Sequence, residues 1–360
     1  MGRRRERGAH RRYAVIMAGG AGTRFWPLGR ARLPKQFLTL YGRRPMLVET
    51  AARLRGVVSP DAVLVVAPPA LAPLVRAQLP RLPRRNLIIE PSARGTAACL
   101  ALAAAHVARR APTATMGVLT ADHAIRDVAA FRAALRRGFA VAEDEWLVTF
   151  GIRPTRPETG YGYIRLGSPL DRGVPRLFRA ARFVEKPDRQ TARRFLAGGR
   201  YRWNSGMFAW RADVFNAALA RHAPRVARAA EMVARSGGVE AKRAYARLPT
   251  VPVDVAVLER AERIAVVEAR FDWDDVGSWS AMPGLWGTDD AGNAARGRVL
   301  LLDCRDTIVH ADRRLVAVLG GAGLVVVDTQ DALLICPRDR AQEVRRVVDA
   351  LAAHGHPHLR

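Results

Sequence analysis

The stretch YAVIMAGGAGTRFWPLGRARLPKQFL, residues 13–38, decides how this chain is organised. Its first five residues, 13–17, are apolar and rich in β-formers, which predicts a buried strand. Three glycines follow at once, and they are Gly19, Gly20 and Gly22. Backbone without a Cβ can turn sharply and bring its N–H groups against a ligand. Thr23, Arg24 and Lys35 then add a hydroxyl, a guanidinium and an ammonium, so the turn predicts a polyphosphate site.

The signature matches neither of the commoner nucleotide motifs. It lacks the GK[ST] ending of a Walker loop, and Phe25 stands where a dinucleotide fingerprint has its last glycine. The combined string GG-x-GTR-x-WPL with PKQFL resembles the signature of sugar-phosphate nucleotidyltransferases, most closely the short, monofunctional mannose-1-phosphate guanylyltransferases. The resemblance implies that Arg24 and Lys35 stabilise a triphosphate and its leaving pyrophosphate. It also implies five nucleotide-binding positions in the turn: Ala18, Gly19, Gly20, Gly22 and Thr23.

The first 150 residues alternate predicted strands with predicted helices. The strands are expected at 13–17, 62–66, 86–90, 115–120 and 146–150, and the helices at 45–55, 70–78, 95–110 and 131–142. This alternation predicts an α/β fold, with a Rossmann-like, mostly parallel sheet and helices on both faces. Ligands lie outside the carboxyl ends of such strands. The loops expected to share one cleft are those at Gly19, Pro91, Asp122 and Gly151.

The pattern of predicted elements changes after residue 151 and again after residue 292. A strand is predicted at 207–210, directly after Trp203–Gly206, and a helical stretch at 212–247 is interrupted at Pro224 and at Gly237–Gly238. Beyond residue 292, short Val/Leu runs recur with turn residues between them, which predicts a small β-solenoid or sheet, followed by a closing helix. The expected organisation is a disordered basic tail at 1–12, a nucleotidyltransferase domain at 13–290 and a C-terminal domain at 291–360. The family resemblance implies that the C-terminal domain is left-handed and β-helix-like.

The charge of the chain raises the alternative of a nucleic-acid-binding protein. The net charge is +26, and 56 of the 59 basic residues are arginines, since only Lys35, Lys186 and Lys242 are lysines. The arginines are scattered over nearly every predicted helix and form no stripe with interleaved aromatic residues. A solvated basic surface that attracts anionic substrates is therefore favoured over specific nucleic-acid binding.

Cysteine usage and hydropathy indicate a cytoplasmic protein. Cys99, Cys304 and Cys336 are odd in number, widely spaced and set among apolar residues, which predicts buried thiols in a reducing compartment. The basic start of the chain is followed by an apolar run that is short and broken by glycine, unlike a signal peptide. No apolar run reaches the roughly 18 residues of a membrane span, so no membrane association is expected.

Two carboxylates are predicted to carry the metal chemistry. Asp122 follows a strand end in LTADHAI, where a carboxylate can hold Mg²⁺ against phosphate oxygens, although it could also cap a turn. Asp274 and Asp275 are adjacent in WDDVGSW, so one can face the cleft while the other caps the helix expected near Ser278. By resemblance to the family pattern, Asp275 is the second metal ligand. His123 is expected to pack locally rather than to act in catalysis.

The resemblance extends along nearly the whole chain. EPSARGTA, residues 90–97, looks like the base-reading segment of the family, which implies that Glu90, Gly95 and Thr96 bind the nucleotide; the family usually has asparagine where this chain has Gly95. ETGYGYI, FVEKP and WNSGMF match the sugar-site motifs. The residues so assigned to the sugar phosphate are Gly160, Tyr161, Glu185, Lys186 and Asn204. The C-terminal part resembles a segment that contributes to oligomer contacts, which implies a homodimer.

The sequence therefore predicts an enzyme that makes GDP-mannose and pyrophosphate from GTP and α-D-mannose 1-phosphate. The reaction is expected to depend on Mg²⁺ and to proceed by in-line attack on the α-phosphate, with positioning and charge neutralisation supplying most of the catalysis. Three alternatives stay open: the same chemistry on another sugar 1-phosphate such as a manno-heptose, a catalytically silent sugar-nucleotide sensor, and a nucleic-acid-binding protein.

Overall fold

A computed structural model describes residues 11–20, 22–170 and 176–360 of the chain. It separates into two compact units. Unit 1 consists of Met1–Gly19, Thr50–Thr120 and Ile125–Trp273, and unit 2 of Gly20–Glu49, Ala121–Ala124 and Asp274–Arg360. The expected domain boundary near residue 290 stays a prediction. Residues 1–10 of the expected tail lie outside the described residues, and strand β1 already begins at Arg12, whose guanidinium lies 2.8 Å from the Glu143 carboxylate.

The regular elements up to residue 274 are eleven strands and eight helices among the described residues. The strands are β1 (Arg12–Met17), β2 (Val63–Ala67), β3 (Leu87–Ile89), β4 (Thr115–Thr120), β5 (Ala124–Ile125), β6 (Leu147–Ile152), β7 (Tyr163–Pro169), β8 (Leu177–Val184), β9 (Tyr201–Arg211), β10 (Ile264–Ala269) and β11 (Trp273–Asp274). The helices are α1 (Met46–Arg53), α2 (Ala72–Gln78), α3 (Gly95–Arg110), α4 (Val128–Glu143), α5 (Arg189–Gly198), α6 (Ala212–His222), α7 (Pro224–Ser236) and α8 (Val239–Ala246). A π-helix follows at Asp254–Leu258.

Unit 1 is built on a nine-stranded sheet in the order β3-β2-β1-β4-β9-β6-β10-β8-β7. The first four strands are parallel, as is the β6–β10 pair. Their apolar runs are almost entirely buried, as expected for parallel strands that are covered on both faces. Strand β9, however, runs antiparallel between β4 and β6, and β7 and β8 add antiparallel pairs at the far edge.

The sheet is therefore mixed, and the prediction of a mostly parallel Rossmann-like sheet is wrong beyond its first four strands. The physical reason is that β9 lies between β4 and β6 and pairs antiparallel with both, which interrupts the parallel order of the sheet. The predicted strand at 207–210 is the second half of β9, so Trp203–Gly206 lie inside a strand. The interruptions predicted at Pro224 and at Gly237–Gly238 are confirmed, because α6, α7 and α8 separate at those residues.

Unit 2 contains a short parallel coil and two helices. Its elements are β12 (Ala294–Arg296), β13 (Val299–Leu302), β14 (Ile308–Ala311), β15 (Val316–Leu319), β16 (Leu324–Asp328), β17 (Leu333–Pro337), α9 (Met282–Trp286) and α10 (Val344–Leu351). Successive strands alternate between two sheets, with β12, β14 and β16 parallel in one and β13 and β15 parallel in the other. This alternation makes the coil β-helix-like. Its inward residues form one buried cluster with Phe25, Trp26 and Trp279.

Among the described residues, no helix combines the length and the apolar character that crossing a membrane requires.

Candidate active site

A tight turn at residues 274–277 is the centre of the candidate site in unit 2. Val276 is fully buried and has a φ of 51°, a left-handed conformation that a β-branched residue rarely adopts. The Oδ1 atom of Asp274 accepts a 2.6 Å hydrogen bond from the Val276 N–H. Strained backbone of this kind persists where its surroundings hold it, and it concentrates at functional sites. Asp274 therefore acts as the local brace of the turn, while Asp275 is the next residue along it.

Lys35 holds this turn from the other side. It lies in the short 3₁₀ helix Lys35–Phe37, is 8% exposed, and donates to the carbonyls of Asp275 (2.8 Å) and Val276 (2.9 Å). Its Nζ atom also lies 2.9 Å from Oδ2 of Asp122. One ammonium thus connects Asp122 to the backbone of Asp275, although these two residues are far apart in the sequence.

Arg24 and Gly22 complete the arrangement in unit 2. The Arg24 guanidinium is exposed and donates a 3.3 Å hydrogen bond to the carbonyl of Gly277, so both predicted cations contact the same turn. Gly22 has a φ of 61°, and a Cβ atom there would lie 2.5 Å from the backbone nitrogen of Lys35. Only glycine allows this close approach of the signature loop to Lys35.

The electrostatics of Asp122 depend on Lys35. Burial alone would raise the pKa of the Asp122 carboxyl, but the Lys35 ammonium, with a smaller contribution from His123, brings that pKa below its usual value. The Asp122 side chain nevertheless remains 29% exposed. Its carboxylate is thus ionised at neutral pH and reachable by a ligand. His123 is buried, and its carbonyl accepts from the hydroxyl of Tyr41.

The predicted base-reading residues lie in unit 1 and are largely occupied by protein contacts. Glu90 is 5% exposed, and its Oε1 accepts a 3.0 Å hydrogen bond from the hydroxyl of the buried Tyr245. Burial raises the pKa of Glu90, although the bonds from Tyr245 and from the backbone of Arg94 act in the opposite direction. Ala18 donates its N–H to Val66, at the end of β2. Glu90 is thus anchored within the unit.

The beginning of helix α3 is joined to residues 251–253. Gly95 has a φ of 78°, and a Cβ there would lie 2.6 Å from the Val251 carbonyl oxygen. That carbonyl accepts from the N–H of Ala97 (3.2 Å), and the Thr96 hydroxyl accepts from the N–H of Val253 (2.9 Å). The absence of a side chain at Gly95 therefore lets the two segments approach closely.

Asn204 has an amide whose orientation is fixed by its neighbours. It lies on β9 at a register shift against β6, and its Oδ1 accepts from the Gly206 N–H (3.2 Å) and the Thr149 hydroxyl (3.3 Å). Its Nδ2 donates a 2.7 Å bond to Oδ1 of Asp254. One N–H of the amide is thereby used within the protein, which leaves the other for a ligand.

The loop that contains Gly160 and Tyr161 is braced by aromatic and ionic contacts. The Tyr161 ring is 8% exposed and packs edge-on against Trp203 and Trp273, with centroids 5.2 and 5.1 Å away. Gly160 is exposed, and its N–H donates to a carboxylate oxygen of Glu158 (3.0 Å). The Tyr161 ring is therefore packed within the protein and is not an exposed stacking surface.

Glu185 and Lys186 form an adjacent ion pair of 2.8 Å, with side chains 37% and 63% exposed. The Oε2 atom of Glu185 would lie only 2.7 Å from a Cβ on Gly162, so a glycine is needed at that position for the carboxylate to stay where it is. A Cβ on Gly162 would also lie 3.7 Å from Nδ2 of Asn204. Glu185 and Asn204 therefore border one small region of unit 1.

The structure adds three residues that sequence reasoning missed: Asp254, Tyr245 and Asp274 as the brace of Val276. No spacing or motif points to the first two, because each acts on a residue more than 40 positions away. For Asp274 a signal exists, since two adjacent aspartates are expected to divide their roles. Asp274 accepts from the N–H of Val276 within the turn, and the 3₁₀ helix Trp279–Ala281, which follows Ser278, has no side-chain cap.

Two family models match successive parts of the chain. The family model described as nucleotidyl transferase matches residues 13–285, and the model described as MannoseP isomerase/GMP-like beta-helix domain matches residues 297–351. The xanthan biosynthesis protein XanB of Xanthomonas campestris pv. campestris (strain B100) is 41% identical over 349 residues, which are 95% of this chain and 73% of that protein. The mannose-1-phosphate guanylyltransferase of Escherichia coli (strain K12) is 41% identical over 96% of this chain and 75% of its own length.

Among solved structures, the protein of Thermus thermophilus named mannose-1-phosphate geranyltransferase superposes with a TM-score of 0.87. It is 38% identical, over 95% of this chain and 99% of that one. The mannose-6-phosphate isomerase of Helicobacter pylori gives a TM-score of 0.60 at 24% identity, over 73% of this chain and 99% of that chain, and shares the fold alone.

Proposed function

Because this chain belongs to the nucleotidyl transferase family, we propose that it joins GTP to α-D-mannose 1-phosphate. A phosphate oxygen of the sugar phosphate attacks the α-phosphorus of GTP, the bond to the β-phosphate oxygen breaks, and GDP-mannose and pyrophosphate result. The sugar phosphate is already an ionised nucleophile, so no general base is needed. Orientation of the two substrates and neutralisation of their charge supply the catalysis.

One observation carries this proposal: Lys35 donates to Asp122 and to the turn that contains Asp275, while Arg24 donates to the same turn. In unit 2 two cations and two carboxylates are therefore assembled around a single strained turn. In the proposed reaction Arg24 and Lys35 stabilise the triphosphate and the leaving pyrophosphate. The glycine signature supplies backbone N–H groups to the phosphates through five residues: Ala18, Gly19, Gly20, Gly22 and Thr23.

Asp122 and Asp275 are the proposed ligands of Mg²⁺. The donor set fits this ion, because carboxylate oxygens are hard ligands and Mg²⁺ needs few of them from the protein when phosphates and water supply the rest. When bound, the ion would neutralise charge on the α-phosphate.

The residues of unit 1 are assigned to the base and the sugar. Glu90, Gly95 and Thr96 form the nucleotide segment, and the firm anchoring of Glu90 by Tyr245 supports a fixed rather than an adaptable contact. The proposed sugar-phosphate residues are Gly160, Tyr161, Glu185, Lys186 and Asn204. Neutral polar groups and a carboxylate suit hydroxyl groups, and Lys186 suits the phosphate.

Two further proposals concern the state of the protein. The outward face of strands β13 and β15 exposes Leu300, Leu302 and Leu319 by 45%, 50% and 75%, and we assign it to a homodimer contact, which size-exclusion chromatography with light scattering would test. The three cysteines are free thiols, which supports a reducing cytoplasm as the site of the reaction.

The decisive experiment measures pyrophosphate release and the sugar-nucleotide product by phosphorus NMR with GTP, Mg²⁺ and mannose 1-phosphate. D122N and D275N should each lower kcat by about 10²-fold or more, whereas D290N, which changes an exposed aspartate, should not. The same assay is repeated with alternative substrates. These are manno-heptose 1-phosphate as the acceptor, and other nucleoside triphosphates or geranyl diphosphate as the donor. Turnover only with another sugar phosphate would reassign the substrate, and tight binding without turnover would identify a silent sensor. RNA binding that survives moderate salt would favour the nucleic-acid alternative.

A further inference from the structure

Asp254 is an acidic residue of unit 1 to which the proposed reaction gives no role. It is the first residue of the π-helix Asp254–Leu258, an irregular element that is frequent at functional sites. Burial raises the pKa of Asp254 to about 6, the hydrogen bond from Asn204 opposes this shift, and the charges of Glu185 and Glu259 add to it. A carboxylate kept in a position that disfavours its charge is a candidate for function.

The contact between Asp254 and Asn204 determines which way the Asn204 amide faces. The amide oxygen is held by two donors, the N–H of Gly206 and the hydroxyl of Thr149. The amide nitrogen is held by the 2.7 Å bond to Asp254. If the amide were reversed, its oxygen would face the carboxylate of Asp254 and its NH2 group would face the N–H of Gly206, so both of those bonds would be lost. Asp254 thus fixes the direction in which the second N–H of Asn204 points.

The residues before Asp254 connect this contact to the nucleotide segment. Val251 accepts from Ala97, and Val253 donates to Thr96, both at the start of helix α3. Residues 251–254 form what we call the bridging segment. Within unit 1 it ties the residues assigned to the nucleotide to the residue assigned to the sugar.

Asp254 also has room and capacity for a ligand. A carboxylate offers about four lone-pair positions, and Asn204 uses one of them. Asp254 is half-buried as a residue and is not fully enclosed. Glu185, which is paired with Lys186, borders the same region of unit 1. Carboxylate oxygens accept hydrogen bonds from hydroxyl groups, which suits the polyhydroxylated end of a sugar phosphate.

We propose that Asp254 is a specificity-determining residue of the sugar-phosphate site: it orients the Asn204 amide and accepts a hydrogen bond from a hydroxyl group of the hexose. This inference rests on the proposed function, because it assigns a second role at the same site. The ionised carboxylate accepts a hydroxyl better than the acid does. Affinity for the sugar phosphate should therefore fall as the pH drops below about 6. The charged groups that face Asp254 are Glu185 and Glu259, and the facing polar group is Asn204.

The test compares wild type, D254N and E259Q by steady-state pyrophosphate release. D254N keeps an acceptor for Asn204 but removes the charge, and E259Q removes a charge from an exposed residue at the end of the same π-helix. D254N should raise KM for mannose 1-phosphate about tenfold or more, because hydrogen bonds to charged groups are the strong ones. Its KM for GTP should stay within about twofold, and E259Q should change neither value beyond that. KM for the sugar phosphate should rise more steeply below about pH 6 in the wild type than in D254N, because the phosphate of the substrate titrates near the same pH with both enzymes.

Two results would overturn the role of Asp254. The first is a D254N enzyme with an unchanged KM for mannose 1-phosphate, and the second is an equal rise in both KM values with the pH profile of the wild type. Calorimetric binding of mannose 1-phosphate separates this inference from the proposed function. If the wild type releases no pyrophosphate but binds the sugar phosphate at least tenfold tighter than D254N does, the proposed reaction is wrong and the proposed role of Asp254 is supported. Equal affinity of the wild type and D254N for mannose 1-phosphate, or no binding by the wild type, would refute the proposed role of Asp254.

Discussion

Replacement of Lys35 by methionine tests the ion-paired turn of unit 2. The substitution keeps the apolar stem and removes an ammonium that donates to Asp122, to the Asp275 carbonyl and to the Val276 carbonyl. Removing one partner of a buried ion pair costs about 3–5 kcal/mol. The Asp122 side chain is 29% exposed, so water relieves part of that penalty. We expect K35M to lower the free energy of unfolding by about 3 kcal/mol and kcat by about 10²–10³.

The pH dependence of K35M gives the sharper readout. In the wild type the pKa of Asp122 lies below its ordinary value of 3.8, so its contribution to stability is present above about pH 4 and is lost on acidification. Without Lys35, burial dominates and raises that pKa, so the ionised carboxylate destabilises the variant and its protonation relieves the cost. The stability gap between wild type and K35M should therefore be widest near pH 7 and narrow towards about pH 4.

Urea unfolding followed by tryptophan fluorescence measures both quantities, with K242M as the control because Lys242 is exposed. K242M should stay within about 0.5 kcal/mol of the wild type. A K35M gap below about 1 kcal/mol, or a gap that does not change with pH, would refute the reasoning that Lys35 neutralises Asp122.

Three further substitutions probe the remaining contacts. D254N should raise the free energy of unfolding near pH 8 by about 1–3 kcal/mol, because ionised Asp254, with its pKa raised to about 6, destabilises the fold above that pH. This gain in stability should vanish as the pH falls from about 6 to about 4. Denaturant titrations at about pH 8 and about pH 4 measure both values. G162A would place a Cβ 2.7 Å from Oε2 of Glu185, whose side chain is flexible and 37% exposed. The KM for the sugar phosphate should therefore rise about fivefold, while the melting temperature stays nearly unchanged. An unchanged KM would remove Glu185 from the sugar site. D274A removes the acceptor that braces Val276 and should lower kcat about 10–100-fold, with D274N retaining most activity because its oxygen can still accept; equal activity of D274A and wild type would show that the turn needs no brace.

Local sequence patterns predicted the bounds of several individual elements. Helix α3 has the predicted bounds, Gly95–Arg110, because its alanine-rich run is a strong helix former. Strand β4 likewise has its predicted bounds, Thr115–Thr120. The family resemblance read from the glycine signature is confirmed by relatives of about 40% identity. Strand β10 was missed, although IAVVEA is a buried apolar run that the strand rules would have found.

Long-range partners could not be predicted from the sequence. The antiparallel insertion of β9 depends on pairing with β4 and β6, and no local pattern encodes the direction of a strand. Asp254 depends on Asn204, fifty positions earlier, and on a π-helix that has no sequence signature. For Asp275, Lys35 and Arg24 the family motif supplied the residues, and Asp122 was predicted from its place after a strand. Only the fold supplied the turn that contains Asp275 and that Lys35 and Arg24 contact.

The choice of lysine at position 35 follows from the geometry of its acceptors. Three oxygens, at 2.8, 2.9 and 2.9 Å, surround one nitrogen atom and use all three of its protons. A guanidinium spreads its donors over a plane and suits two parallel acceptors, so it cannot satisfy three oxygens that converge on a single point. In a chain with 56 arginines and three lysines, a point charge is therefore required here on physical grounds. Lys186 and Lys242 differ in this respect, since the first has an exposed side chain beside Glu185 and the second is exposed on helix α8. The retention of lysine is thus explained by structure at the one position where the ammonium joins the two proposed metal-binding residues.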